Sequence, residues 1–78
     1  MEKNNEAKEN LTKTIDYLLE SRNKTWSDYG RYTNMSRQRI SKKKTNNSWK
    51  YIDLVLLGTF LGYHLEIVDD ETDVRIRL

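Results

Sequence analysis

At 78 residues the chain is one small domain. Its core is too limited for a wide margin of stability, which makes self-association a natural supplement. With no cysteine, disulfides, thiolate metal sites and a thiol nucleophile are excluded. A single histidine, His64, and the lack of carboxylates clustered in an apolar pocket leave no catalytic constellation, and no metal or cofactor set to assign. Net charge is only +2, but it is unevenly spread. Between Tyr29 and Ile52 stand Arg31, Arg37, Arg39, Lys42, Lys43, Lys44 and Lys50 and no acid, whereas acids outnumber bases on both sides of that block. Such a block reads as a footprint for phosphate, or else as a solvated helix face. The longest apolar run, Leu54 to Leu57, falls far short of the roughly 20 residues that span a bilayer, and MEKNNEAKEN has no apolar leader core. The expectation is a soluble cytoplasmic protein with no membrane partner.

Residues 1–6 read as a polar, flexible N-terminus. Ala7, Leu11, Ile15, Leu18 and Leu19 then recur at helical spacing, predicting a first helix that ends near Arg22 to Lys24, where basic side chains suit the negative end of its dipole. Thr25 with Asp28 three positions on resembles a capping box and opens a second, short helix to about Tyr32 or Thr33, with Trp26, Tyr29 and Thr33 on one face. Asn34-Met35-Ser36 is a break: asparagine tolerates the left-handed conformation and serine is a strong N-cap. A third helix runs from Arg37 to Lys43 or Lys44. Ile40 is the one apolar residue in its body, so one face must look outward. After a Thr45–Ser48 loop, Trp49 to Leu61 is apolar nearly all round and is expected to be a helix packed on several sides. Gly58 within it reads as a point of close approach, and Gly62 as the C-terminal cap. From residue 64 the period changes to alternation: Leu65 and Ile67, then Val74, Ile76 and Leu78, around an acidic Asp69-Asp70-Glu71-Thr72 turn, predict a β-hairpin. Glu66 can face Arg75 or Arg77, and the two registers put the same apolar residues on one face.

Two short helices joined by a tight turn, the second polar and basic, form a helix-turn-helix pattern. The run Lys24 to Ser41, with its threonine cap, Gly30 as the small residue of the second helix, Asn34 at the turn and Ser36 to Ile40 as a serine-capped basic segment ending in isoleucine, resembles the lambda-repressor-like family of phage repressors, Cro proteins and small bacterial regulators. Leu61-Gly62-Tyr63 resembles the end of that family's last core helix. The likeness spans residues 8 to 63. It implies a four-helix helix-turn-helix domain over residues 7–63, here followed by a hairpin at 64–78, and a mainly α fold. Trp26 stands where the family often has a phosphate-touching polar residue, Asn34 where it has glycine, and lysines where an acid often follows the recognition helix.

The N-terminal residues of a recognition helix reach base edges, so Arg37 and Gln38 lead, with Lys42 one turn beyond Gln38. Arginine offers a bidentate fork to guanine, and glutamine pairs with adenine. Ser36, Arg39, Ser41, Lys43, Lys44, Asn46, Asn47 and Lys50 are assigned to the DNA backbone, which positions without specifying. Tyr29 and Tyr32 are open between packing and phosphate contact; Trp49, Met35, Ile40 and Leu57 read as core. The free edge at Val74, Ile76 and Leu78 suits pairing with a second copy, giving a homodimer on a palindromic operator with half-sites about 34 Å apart; the alternative is a hairpin that merely covers the apolar helix. The function expected is a small, non-enzymatic, dimeric DNA-binding repressor of a phage, plasmid or mobile element. Alternatives are a plasmid partition or relaxosome accessory protein, or an antitoxin-like protein-binding module. Double-stranded RNA is disfavoured, since its deep major groove does not admit a recognition helix.

Overall fold

Helix α1 (Leu11–Ser21) opens the part of the chain, residues 11–78, that the computed structural model describes. The expectations for residues 1–6 and for Ala7 lie outside the described residues. Helices α2 (Trp26–Thr33), α3 (Arg37–Asn46) and α4 (Tyr51–Leu61) follow, then an antiparallel hairpin of β1 (Glu66–Val68) and β2 (Arg75–Arg77). The architecture is mainly α with a C-terminal two-stranded hairpin.

The core draws from all four helices. Ile15 and Leu19 of α1, Tyr29 of α2, Ile40 of α3, and Leu57 and Leu61 of α4 are buried, with Leu11, Leu18, Trp26, Met35, Trp49, Leu54, Phe60 and Tyr63 packed around them. Burial of these side chains is the main favourable term in holding the bundle together. The core packs around α4 on several sides, as the apolar composition predicts: every residue from Asp53 to Gly58, with Phe60 and Leu61, is buried or half-buried. The first turn projects beyond this packing, and Tyr51 and Ile52 remain more than half exposed. Trp49 also falls outside α4, whose first residue is Tyr51.

Local chemistry explains where the helices start and stop. At α2, Thr25 Oγ1 accepts from the Asp28 N–H at 3.1 Å and Asp28 accepts from the Thr25 N–H at 2.8 Å, a reciprocal cap that satisfies two otherwise orphaned donors. The Thr25 backbone and then its side chain hold the Asp28 carboxyl below its ordinary range. Asn34 closes α2 in the left-handed conformation, φ 60°. Helix α3 runs two residues or more past the expected end, because Asn47, at φ 52°, supplies a second left-handed cap. At α4, Gly62 terminates the helix at φ 87°. A Cβ on Gly58 would lie 2.6 Å from the Tyr63 carbonyl oxygen; the close approach anticipated there is made by the chain itself as it turns off the helix.

In the hairpin Glu66 lies opposite Arg77 and Ile67 opposite Ile76, while the Glu66 carboxylate pairs diagonally with Arg75 at 2.9 Å. Hydrogen bonds from His64 and then Arg75 keep Glu66 below its ordinary pKa. Asp69 Oδ1 accepts from the backbone N–H of Glu71 at 2.9 Å and of Thr72 at 3.4 Å, which shapes the turn and lowers the Asp69 pKa. Leu65 and Leu78, beside Val55 and Gly58, border a small cleft at the hairpin root. Farther out, Ile67, Val74 and Ile76 are more than half exposed, so the hairpin does not simply cover α4.

Candidate nucleic-acid interface

Ile40 and Lys43 are the buried residues of α3, and at about 100° per residue they fix the direction of every other position on it. Gln38, Ser41, Lys42 and Thr45 fall on the opposite side, all exposed. Arg37 and Lys44 flank this stripe toward α2, where, with Ser27 and Arg31, they border an open groove of about 590 Å³. Arg39 and Asn46 flank it on the far side, also exposed. The three residues assigned to base edges, Arg37, Gln38 and Lys42, thus lie together on an outward surface made only of polar and basic side chains.

The angle of this surface is set by tight packing behind it. A Cβ at Gly30 would sit 2.8 Å from Ile40 Cδ1 and 3.2 Å from the Met35 carbonyl oxygen. A larger residue here would push the end of the Ile40 side chain aside and crowd the Met35 carbonyl, so a small residue is what lets α2 and the turn before α3 come this close. Ser36 starts α3, its Oγ accepting from the Arg39 N–H at 3.1 Å; the hydroxyl keeps its own proton to donate to a phosphate. Lys44 is exposed and lies over the Trp26 ring, 4.7 Å from the centroid, so the aromatic ring steadies the cation at the rim of the groove. Trp26 in turn stacks on Trp49 at 5.6 Å and 25°, and the Trp49 indole N–H donates to Thr12 Oγ1 at 2.9 Å.

Two assignments, Lys43 and Asn47, are corrected. Lys43 is not available to the DNA backbone: its side chain is only 9% exposed and its ammonium meets the Asp53 carboxylate at 3.0 Å. Helical spacing puts it beside Ile40 on the inner face, which a run of three lysines conceals. Asn47 is half-buried and its side-chain oxygen accepts from the Thr12 N–H and Oγ1 at 3.2 and 3.3 Å, tying α1 to the end of α3. For Tyr29, left open between packing and phosphate contact, the structure chooses packing: it is 1% exposed and its hydroxyl donates to the Asp53 carbonyl oxygen at 3.0 Å. Tyr32 is exposed on one side and stacked on Phe60 at 4.8 Å on the other. Lys50, whose N–H donates to Asp53 at 2.8 Å as α4 begins, keeps an exposed side chain.

Thr45 was missed by sequence reasoning, which ended α3 before it. The signal was Asn47, a residue able to cap in the left-handed form three positions beyond Lys44. Among the described residues no group of three or more His, Cys, Asp or Glu side chains is placed to hold a metal ion, and no described helix is long and apolar enough to cross a membrane. Comparison with models of known protein families, with curated proteins and with solved structures finds no match for this chain.

Proposed function

We propose that this chain is a sequence-specific double-stranded-DNA-binding regulator of the lambda-repressor-like kind, with α2 and α3 as its helix-turn-helix and the first turn of α3 entering the major groove. The observation that carries the reading is the exposed stripe of Gln38, Ser41, Lys42 and Thr45, flanked by Arg37, on a helix whose other side is bolted into the core by Ile40 and Lys43. A polar helix held rigidly yet presented outward is what base readout requires. Arg37 and Gln38 read bases, Lys42 extends the readout by one turn, and Ser36, Arg39, Ser41, Lys44, Asn46 and Lys50 contact phosphates. The protein acts as a homodimer on an inverted repeat, in the role of a repressor of a phage, plasmid or mobile element.

The support for dimerisation is the hairpin. A two-stranded hairpin is marginal alone, and this one leaves Ile67 at 55%, Val74 at 55%, Ile76 at 57% and Leu78 at 50% exposure. The same surface favours, as a second reading, a heterologous protein partner of the antitoxin kind. Selection of bound sequences from random duplexes at about 150 mM salt tests the main reading, since non-specific binding is weakened there. A palindromic consensus is expected, and Arg37→Ala or Gln38→Ala should each cost about 1–3 kcal/mol of discrimination at one base position. Failure to enrich any sequence, with the protein folded, would refute it.

A further inference from the structure

The buried contact between α3 and α4 is ionic where an apolar one would serve stability better. Lys43 and Asp53 are 9% and 7% exposed at the side chain, and desolvating two charges offsets most of what their attraction returns, so such a pair is a poor source of net stability. What it supplies is direction. Lys43 Nζ donates to Asp53 Oδ2 at 3.0 Å and to the Ser48 carbonyl oxygen at 3.4 Å. The same Oδ2 accepts from the Lys50 N–H at 2.8 Å, and the Asp53 carbonyl oxygen accepts from Tyr29 of α2 at 3.0 Å. Helices α2, α3 and α4 are therefore pinned at one residue. Helix α3 needs such a pin, because Ile40 is its only buried apolar side chain and apolar contact is non-directional. One anchoring side chain leaves a helix able to roll or slide, whereas a recognition surface must be held to within about 0.5 Å and 10–20°.

We propose that the Lys43–Asp53 pair is a positioning device that sets the roll and height of α3, and so governs discrimination between DNA sequences without either residue touching DNA. The inference rests on the DNA-binding reading above. Its test compares affinity for a duplex selected by the wild-type chain with affinity for a random duplex of equal length. Lys43→Met/Asp53→Asn removes both charges while leaving an oxygen to accept from Lys50. It should unfold cooperatively near the wild-type temperature and bind the random duplex with unchanged affinity and salt slope. Its selected-to-random ratio should fall at least tenfold. A ratio kept at the wild-type level overturns the proposal, as does a salt slope lower by about one unit, which would put Lys43 on a phosphate. Should that variant not fold, Asp53→Glu keeps both charges but lengthens the acid by one methylene. It should lower the ratio at least fivefold, and wild-type discrimination in it overturns the proposal too. A wild-type chain that selects no duplex sinks the functional reading itself, a result distinct from retained discrimination in the variants.

Discussion

Tyr29 and Lys43 show how much one side chain can be committed before any partner arrives. Burial, and secondarily the Asp53 carboxylate, push the Tyr29 phenol up to about 12 from an ordinary 10.0. An acid whose folded pKa is raised loses nothing below its unfolded value, where both states hold the proton. Above it the unfolded chain ionises first, so stability should drain away as pH climbs from 10.0 to about 12. In Tyr29→Phe this alkaline limb of a pH–denaturation profile should flatten, while stability at pH 7 falls by about 1 kcal/mol for the lost hydrogen bond; an unchanged limb would count against the burial. The neighbouring lysines should behave oppositely to one another. Lys44→Ala, at an exposed cation, should leave folding intact and lower the salt slope of DNA binding by about one. Lys43→Ala strands Asp53 and should cost about 3–5 kcal/mol of stability, seen by urea unfolding.

At the scale of elements, the turns are decided by residues that accept the left-handed conformation, Asn23, Asn34, Asn47, Asp73 and Gly62. The closest packing is decided by Gly30 and Gly58. Alanine at position 58 would gain about 1 kcal/mol of helix propensity, but its Cβ meets a backbone oxygen that no side-chain rotation can move aside. The net expectation for Gly58→Ala is a loss of about 1–3 kcal/mol in thermal or urea unfolding, with the turn into Tyr63 and His64 displaced; a stabilised variant would mean the turn yields easily. Helix α3 has the least apolar content of the four, and the hydrogen bonds at its ends, from the Arg39 N–H to Ser36 Oγ and from the Asn47 N–H to the Lys43 carbonyl oxygen, matter correspondingly more.

For the whole molecule, the polar stripe of α3 and the exposed apolar residues of the hairpin differ in chemistry, and the proposed function gives DNA to the first and a second copy to the other. If the hairpin joins two copies, Ile76→Asp should reduce the scattering mass at micromolar concentration from twice the 9.4 kDa chain to a single chain. It should also weaken binding to a two-half-site duplex much more than to one half-site. A wild-type chain that is already monomeric there would remove the homodimer from the proposal.

Periodicity and capping residues made the elements legible in the sequence. Leu11, Ile15 and Leu19 mark α1, Thr25 with Asp28 and Ser36 mark the starts of α2 and α3, and alternation from Leu65 to Leu78 marks the hairpin. These are local effects, set within one turn of helix or one strand pair, and the exposed candidates Arg37, Gln38 and Lys42 follow from them. Burial was not legible in the same way, because it depends on what arrives from elsewhere in the chain. The structure turned Lys43 inward to Asp53, spent Asn47 on Thr12, sealed Tyr29 beneath α4 and left Ile52 and Ile76 in the open. A charge is hidden or displayed according to which neighbour the fold brings within about 3–4 Å of it, and only the assembled bundle settles that.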